Sequence, residues 1–395
     1  MKINMRIHLN NFLVINWRLL LITFMLNGCA TNIDTVEDLD ISPDEPINIA
    51  VFTPFGSKEK NLAHIGRSLR DAAILAKQDL GDLNLNLTIY NSGEREDPGT
   101  GAAYSAIKDG AHLIIGPFIP KKVENVSRIS RQAGVKIIAF TDDIDVAKES
   151  VFIMGDNSLN RAEKLVQYAV KKKKYRFGII SSIKDSQSNL QSSFRTVIQK
   201  NGGIITFSMY YPDKITSLYD FTEGLRQKVI SSHPDAIIFT DNPNKRIPLI
   251  AADLTDIINS APGERLQIIG LTRWDLDSSI MSEPSLEGSW LAIPDNRFRK
   301  VYEEKFLRKF GYRPHLTSNL AYDAVAAIGV LIGKRRITKT LHPFSARELT
   351  NSNGFIGIDG IFRFKPDGKI EKELAIVEIE KGRPNILKPP SNKFP

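Results

Sequence analysis

The 395-residue chain has a single cysteine, Cys29. One thiol can form neither an internal disulfide nor a dithiol redox centre, so the fold must stand on its core. Histidines after residue 28 stand far apart, at 64, 112, 233, 315 and 342, with no His-x-x-x-His spacing and no cysteine beside them, so no zinc site is expected. No apolar run is long enough to span a bilayer: Leu19 to Leu26 is interrupted by Thr23 and too short, and no second long stretch follows. Residues 1–28 carry Lys2, Arg6 and Arg18 and no acid, so without them the formal net charge of +8 falls to +5 over 367 residues. A balance that mild, without basic clusters interleaved with aromatics, excludes a nucleic-acid function. Catalytic sets are incomplete as well. Ser57-Lys58-Glu59-Lys60 and Ser181-Ser182-Ile183-Lys184 fit Ser-x-x-Lys, but neither Ser-Asp-Asn nor Lys-Thr-Gly accompanies them. Gly354, Gly357 and Gly360 precede a hairpin pattern and not a helix N-terminus, so they are no phosphate cradle. Neither an enzymatic activity nor a cofactor or metal is expected.

What is present begins with a basic leader and a short apolar segment that ends in Leu26-Asn27-Gly28-Cys29. The segment resembles a bacterial lipoprotein signal, with an aliphatic residue three positions before the cysteine and a small one just before it. The resemblance implies cleavage of residues 1–28 and a lipid on Cys29; the competing reading is a buried core thiol. Asn27 departs from the usual small or β-branched residue. Ala30, where an aspartate would favour inner-membrane retention, implies a periplasmic protein anchored in the inner leaflet of the outer membrane. Residues 29–46 are acidic and aperiodic, which reads as a tether.

From Ile47, β-rich runs alternate with amphipathic helical stretches, the signal for parallel sheets with crossover helices. The spacing predicts strands at Ile47–Thr53, Leu85–Tyr90, Ala111–Ile115 and Val135–Phe140, with helices between them, and the unit closes near residue 155. A second set follows, with strands at 177–181, 204–210, 236–240 and 266–271. Helices at 301–310 and 318–332 come next, with no strand between them. Turns at Asp359-Gly360 and Asp367-Gly368 then mark hairpins. The expected architecture is α/β, with two doubly wound parallel sheets joined by three crossovers. Its boundaries are 46–155 plus 275–343 for lobe 1, 156–274 plus 344–380 for lobe 2, and a C-terminal tail at 381–395.

Residues 46–380 resemble the bilobed type I periplasmic binding protein fold of the Leu/Ile/Val-binding proteins. The resemblance is carried by Ile49-Ala50-Val51-Phe52-Thr53-Pro54, Leu113-Ile114-Ile115-Gly116-Pro117, Ala133-Gly134-Val135-Lys136-Ile137-Ile138 and Ala321-Tyr322-Asp323-Ala324-Val325. A narrower similarity, to the penicillin-binding protein activator lipoproteins, lies in residues 114–118, 138–143 and 354–364. It implies a non-enzymatic regulator of peptidoglycan synthesis whose partner is a bifunctional penicillin-binding protein. The alternative is the solute-binding protein of an ABC transporter, serving its permease with branched-chain amino acids or another small metabolite.

Ligands of open α/β sheets bind outside the carboxyl ends of the strands. The cleft candidates are therefore Pro54, Phe55, Gly56 and Ser57 after the first strand, Pro117 and Phe118, and Thr141 and Asp142. Lys184, Asp185, Thr240 and Trp274 are their counterparts in the second lobe. For Phe55, Phe118 and Trp274 ordinary packing competes with a ligand-facing role. Amino-acid-binding relatives carry Tyr-Gly where this chain has Lys184-Asp185-Ser186, and an Arg after Phe152 that is Ile153 here, which argues against amino-acid binding.

Overall fold

The computed structural model describes residues 38–94, 97, 99–155, 158–185, 190–258 and 266–394. The leader and the first half of the expected tether, with Cys29, lie outside the described residues.

Two sheets organise the chain. The first is built from β1 (Ile47–Thr53), α1 (Lys60–Asp79), β2 (Leu85–Asn91), α2 (Thr100–Lys108), β3 (Leu113–Ile115), α3 (Pro120–Gln132), β4 (Lys136–Ala139) and β5 (Val151–Ile153). Its strand order is β2-β1-β3-β4-β5 and every pair is parallel. Parallel strands covered by helices on both faces are buried on both faces, which is why they read as continuous apolar runs. One face packs Ile49, Val51 and Ile115 against α1; the other packs Ala50, Phe52 and Ile114 against α2 and α3.

The second sheet continues with α4 (Ser158–Lys171), β6 (Arg176–Ser182), α5 (Leu190–Lys200), β7 (Ile204–Tyr211), α6 (Leu218–Ser232), β8 (Ala236–Phe239), α7 (Arg246–Ala252), β9 (Gln267–Gly270) and β10 (Trp290–Ile293). The chain then returns to the first lobe. There α8 (Arg299–Phe310), α9 (Asn319–Thr338) and a three-stranded sheet of β11 (Phe355–Gly357), β12 (Gly360–Phe364) and β13 (Ile370–Lys372) bury Phe306, Ile328, Phe362, Phe364 and Ile370 in the core that holds α1. A third crossing leads to β14 (Ala375–Glu380) and β15 (Arg383–Lys388), antiparallel strands that complete the order β15-β14-β10-β9-β8-β6-β7.

Four boundaries differ from the sequence reading. Residues 290–293 pair with β9 and belong to the second sheet, not the first lobe. Residues 355–372 fill the first core, not the second, because their aromatic faces meet α9. The expected tail contributes an edge strand at 383–388. The expected tether is in part folded: Ile41 is 1% exposed in the first core and its N–H donates to the Leu341 carbonyl at 2.9 Å. Arg335 donates to the carbonyls of Ile41, Ser42 and Glu45, and Lys136 pairs with Asp38. Basic groups on the lobe thus clamp the acidic segment in place.

Against the expectation of no second long apolar stretch, helix α9 with the turn before it, Leu316–Thr338, is long and apolar enough to cross a membrane by length and composition. Two thirds of its most apolar 18-residue stretch is buried, against α1 and the three-stranded sheet, where a central helix of a folded lobe belongs.

Candidate functional site

Each sheet reverses its strand order once, between β1 and β3 in the first and between β6 and β8 in the second. The crevice outside the strand ends at such points is the natural ligand position. A cavity of about 880 Å³ occupies it. From the first lobe it is lined by Phe118 after β3 and by Phe140, Asp142 and Asp143 after β4. From the second it takes Ser181 at the end of β6, Thr240 and Asp241 after β8, and Thr272, Arg273 and Asp275 after β9. The crossing segments supply Ser158, Arg161, Asn296, Arg299 and Lys372, the turn between β11 and β12 supplies Asp359, and the loop between α8 and α9 supplies His315 and Leu316.

Most of these polar groups hold one another. Arg299 grips Asp359 with Nε at 3.1 Å and Nη2 at 2.6 and 2.7 Å, and Asn319 Nδ2 donates to the same carboxylate at 2.9 Å. Arg273 and Asp275 form a second forked pair, both bonds 2.7 Å. Such bidentate pairs are strong and directional, so they fix the walls. Thr240 Oγ1 donates to Ser181 Oγ at 2.8 Å, and Thr272 Oγ1 to the Asp241 carbonyl at 2.7 Å. Burial, then the charge of neighbouring His64, holds the His315 pKa below its ordinary value, so His315 presents a neutral imidazole at pH 7. Behind the wall, fully buried Asp323 accepts from the Ile358 N–H at 2.8 Å, and burial pushes its pKa up to about 7.

Of the twelve candidates, Phe118, Asp142 and Thr240 line the cavity. The loop after β1 is occupied by its own packing. Gly56 N–H donates to Asn91 Oδ1 at 3.4 Å, Ser57 Oγ donates to Glu94 at 2.8 Å, and Phe55 lies under Arg70. Gly66 sits so close behind Pro54 that a Cβ there would come within 2.3 Å of its carbonyl carbon. Pro117, after a cis peptide bond, is buried, and its carbonyl accepts from the Phe140 N–H. Thr141 is buried too, its hydroxyl accepting from the Asp143 N–H at 3.1 Å. Lys184 is exposed and pairs with Asp213 at 3.1 Å, and Asp185 ends the same short turn, Ile183–Asp185. Trp274 is fully buried, packed on Phe239 and over Gly270. The sequence reading did not reach Arg161, Arg299 and Lys372, which lie where the chain crosses between lobes, or Asp359 in the turn between β11 and β12. The one local signal was the Asp359-Gly360 turn, which placed a hairpin but not its lobe.

A substrate-binding protein of an ABC transporter from Desulfitobacterium hafniense, in complex with Leu, superposes with a TM-score of 0.60 at 20% identity, covering 86% of this chain and 99% of that one. A putative branched-chain amino acid ABC transporter protein from Rhodospirillum rubrum gives 0.69 at 16% identity, again over 86% and 99%. The fold is that of the type I periplasmic binding proteins. A third protein with this fold, a solute-binding protein of an ABC transporter from Rhodopseudomonas palustris in complex with 3,4-dihydroxybenzoic acid, gives 0.55 at 15% identity, covering 88% and 97%. An uncharacterized protein of Rickettsia prowazekii is 20% identical over 341 residues, 85% of this chain and 87% of its own length. No family model matches the chain. At these identities the likeness establishes the type I fold and no particular ligand.

Proposed function

We propose that this protein is a non-enzymatic solute-binding protein that closes its two lobes on a small molecule and delivers it to the permease of an ABC transporter. The observation that carries the reading is the 880 Å³ cavity at both strand-order reversals, walled by fixed ion pairs. A scaffold that only displayed an outer surface would have no need of such a cavity. The solved relatives with this fold that bind Leu and 3,4-dihydroxybenzoic acid support the same reading. The regulatory reading, in which the lobes present a surface to a bifunctional penicillin-binding protein, draws its support from the sequence motifs at 114–118, 138–143 and 354–364.

The proposed location is the periplasm, with Cys29 acylated after removal of residues 1–28 and the lipid in the outer membrane. Intact-mass analysis of the membrane fraction tests this, since an unmodified thiol with the leader attached would refute it. Ligand binding is tested by thermal shift of the full-length protein against a metabolite panel. A ligand at a hundredfold excess over its Kd stabilises the fold by about 2.7 kcal/mol, a few degrees in melting temperature for a chain of this size. A panel of amino acids, organic acids, sugars and polyamines that moves the melting temperature nowhere would remove the reading. Crosslinked recovery of a bifunctional penicillin-binding protein would then support the regulatory one.

A further inference from the structure

Two cations sit at one corner of the cleft and are nearly inaccessible from outside: Arg161 is 4% exposed and Lys372 is 5% exposed, and both line the cavity. The side chain of Asn160, the residue before Arg161, is tied to the Lys372 backbone. Asn160 Nδ2 donates to the Lys372 carbonyl at 3.0 Å, and the Lys372 N–H donates back to Asn160 Oδ1 at 3.3 Å. This fixes the first turn of α4 against β13, where the chain makes its third crossing.

The acids next to Lys372 in sequence are committed elsewhere. Along an extended strand alternate side chains leave on opposite faces, and Glu371 and Glu373 both turn away from the cleft. Glu373 takes Lys164 at 2.5 Å, and Glu371 takes Arg363 at 2.9 Å. Among the described residues Lys372 makes no ion pair. A buried ammonium is costly until an anion joins it. Asp323 lies within its field but is itself fully buried and holds its proton close to neutrality. The start of α4 is at the same corner, with Ser158 lining the cavity, and its N-terminal end adds positive potential.

The acids of the cleft are in a different position. Asp359 is held by Arg299 and Asn319, Asp275 by Arg273, and Asp143 accepts from the Asp145 N–H at 3.0 Å. Asp142 and Asp145 are exposed to water, and Asp241 lies beside the buried Tyr211 hydroxyl. Phe118 and Phe140 from one lobe and Phe194 from the other border the cavity with apolar surface.

We propose that the Lys372–Arg161 corner holds the anionic group of the ligand, and that the ligand is a small organic acid with an apolar body, recognised by its negative charge with no ammonium required. This rests on the solute-binding reading above and names its ligand class.

The test uses the full-length protein and matched probes: 4-hydroxybenzoate, 4-methylpentanoate and leucine, the primary amide of each, and glucose and putrescine as neutral and cationic controls. Calorimetry is expected to show binding of at least one acid lacking an amino group, and at least tenfold weaker binding of its amide. Lys372→Gln is expected to lose at least tenfold in affinity for that acid, and Lys372→Arg to stay within about threefold of the parent. Equal binding of acid and amide, or full affinity in Lys372→Gln, would overturn the proposal. So would binding of leucine without 4-methylpentanoate or 4-hydroxybenzoate, or binding of glucose or putrescine alone, though these last results leave the solute-binding reading standing. Silence from every probe and from the wider metabolite panel would remove both. Should Lys372→Gln fail to fold, the acid and amide pair on the parent protein decides.

Discussion

Asp323 offers the sharpest test of the physical account of the cleft wall. Its carboxyl is fully buried on α9, and one oxygen accepts the Ile358 N–H. Burial, with a smaller push from the charge of Asp359, outweighs the Ile358 hydrogen bond, Lys372 and Arg299 and raises its pKa from 3.8 to about 7. The folded protein therefore keeps a proton that the unfolded chain gives up above pH 3.8. Stability linked to this group is fully present below that pH, falls as pH rises toward 7, and is flat above. At 1.36 kcal/mol per pH unit the interval corresponds to about 4 kcal/mol, a ceiling because the buried site relaxes. Asp323→Asn keeps an acceptor for the Ile358 N–H and removes the ionisation. Urea denaturation of both proteins at pH 4.5, 6, 7 and 8 reads the difference directly. Contributions of other acids, such as Asp295, held below its usual range by Arg297, cancel between them. The parent is expected to lose stability relative to Asp323→Asn by about 2–4 kcal/mol across that range. A difference that stays flat within about 0.5 kcal/mol, or that moves the other way, would refute the reasoning.

Two further outcomes follow from packing. Ile41→Ala should cost about 2–5 kcal/mol in denaturant midpoint analysis, as a buried aliphatic truncation does; a chain begun at residue 46 should lose at least as much, and equal stability of the two lengths would show that the 38–45 segment is a loose leash. Trp274→Ala should cost about 3–5 kcal/mol while the folded fraction keeps its ligand affinity, because the indole is fully buried behind the wall. Lost affinity at unchanged stability would return Trp274 to the ligand surface.

The parallel strands β1 to β4 and β6 to β9 were legible because burial on two faces turns each into a short apolar block, and Leu113–Ile115, Ala236–Phe239 and Gln267–Gly270 carry that mark. Trp290–Ile293 was not among the expected strands, and its place in the second sheet was harder to read still. Nothing in Trp290–Ile293 says that it pairs with β9, since the same four residues would suit either core. The hairpin at Gly360 was visible because its φ of +96° suits glycine. Phe362 and Phe364, however, announce only that they must be buried. They meet α9 because the chain crosses between lobes three times, and that is a property of the whole topology.

The site shows the same division between local and global information. Strand-end loops were found by rule, and Phe118 and Trp274 looked alike as aromatics in such loops. What separates them lies in the strand beneath. Gly270 has no side chain, and a Cβ there would come within 2.7 Å of the indole ring, so the missing atom is the space that Trp274 fills. No comparable recess receives Phe118, which stays half-buried on the cavity wall. Arg161, Arg299, Asp359 and Lys372 escaped the rule for a related reason. Arg161, Arg299 and Lys372 come from the three crossings and Asp359 from the turn between β11 and β12, and a charged residue in such a segment reads as a solvated surface group until the lobes are placed. Once they are placed, two of the four neutralise each other, and the buried Lys372 lines the cavity with no ion pair of its own among the described residues, so the crossings shape the cleft's chemistry as much as the strand ends do.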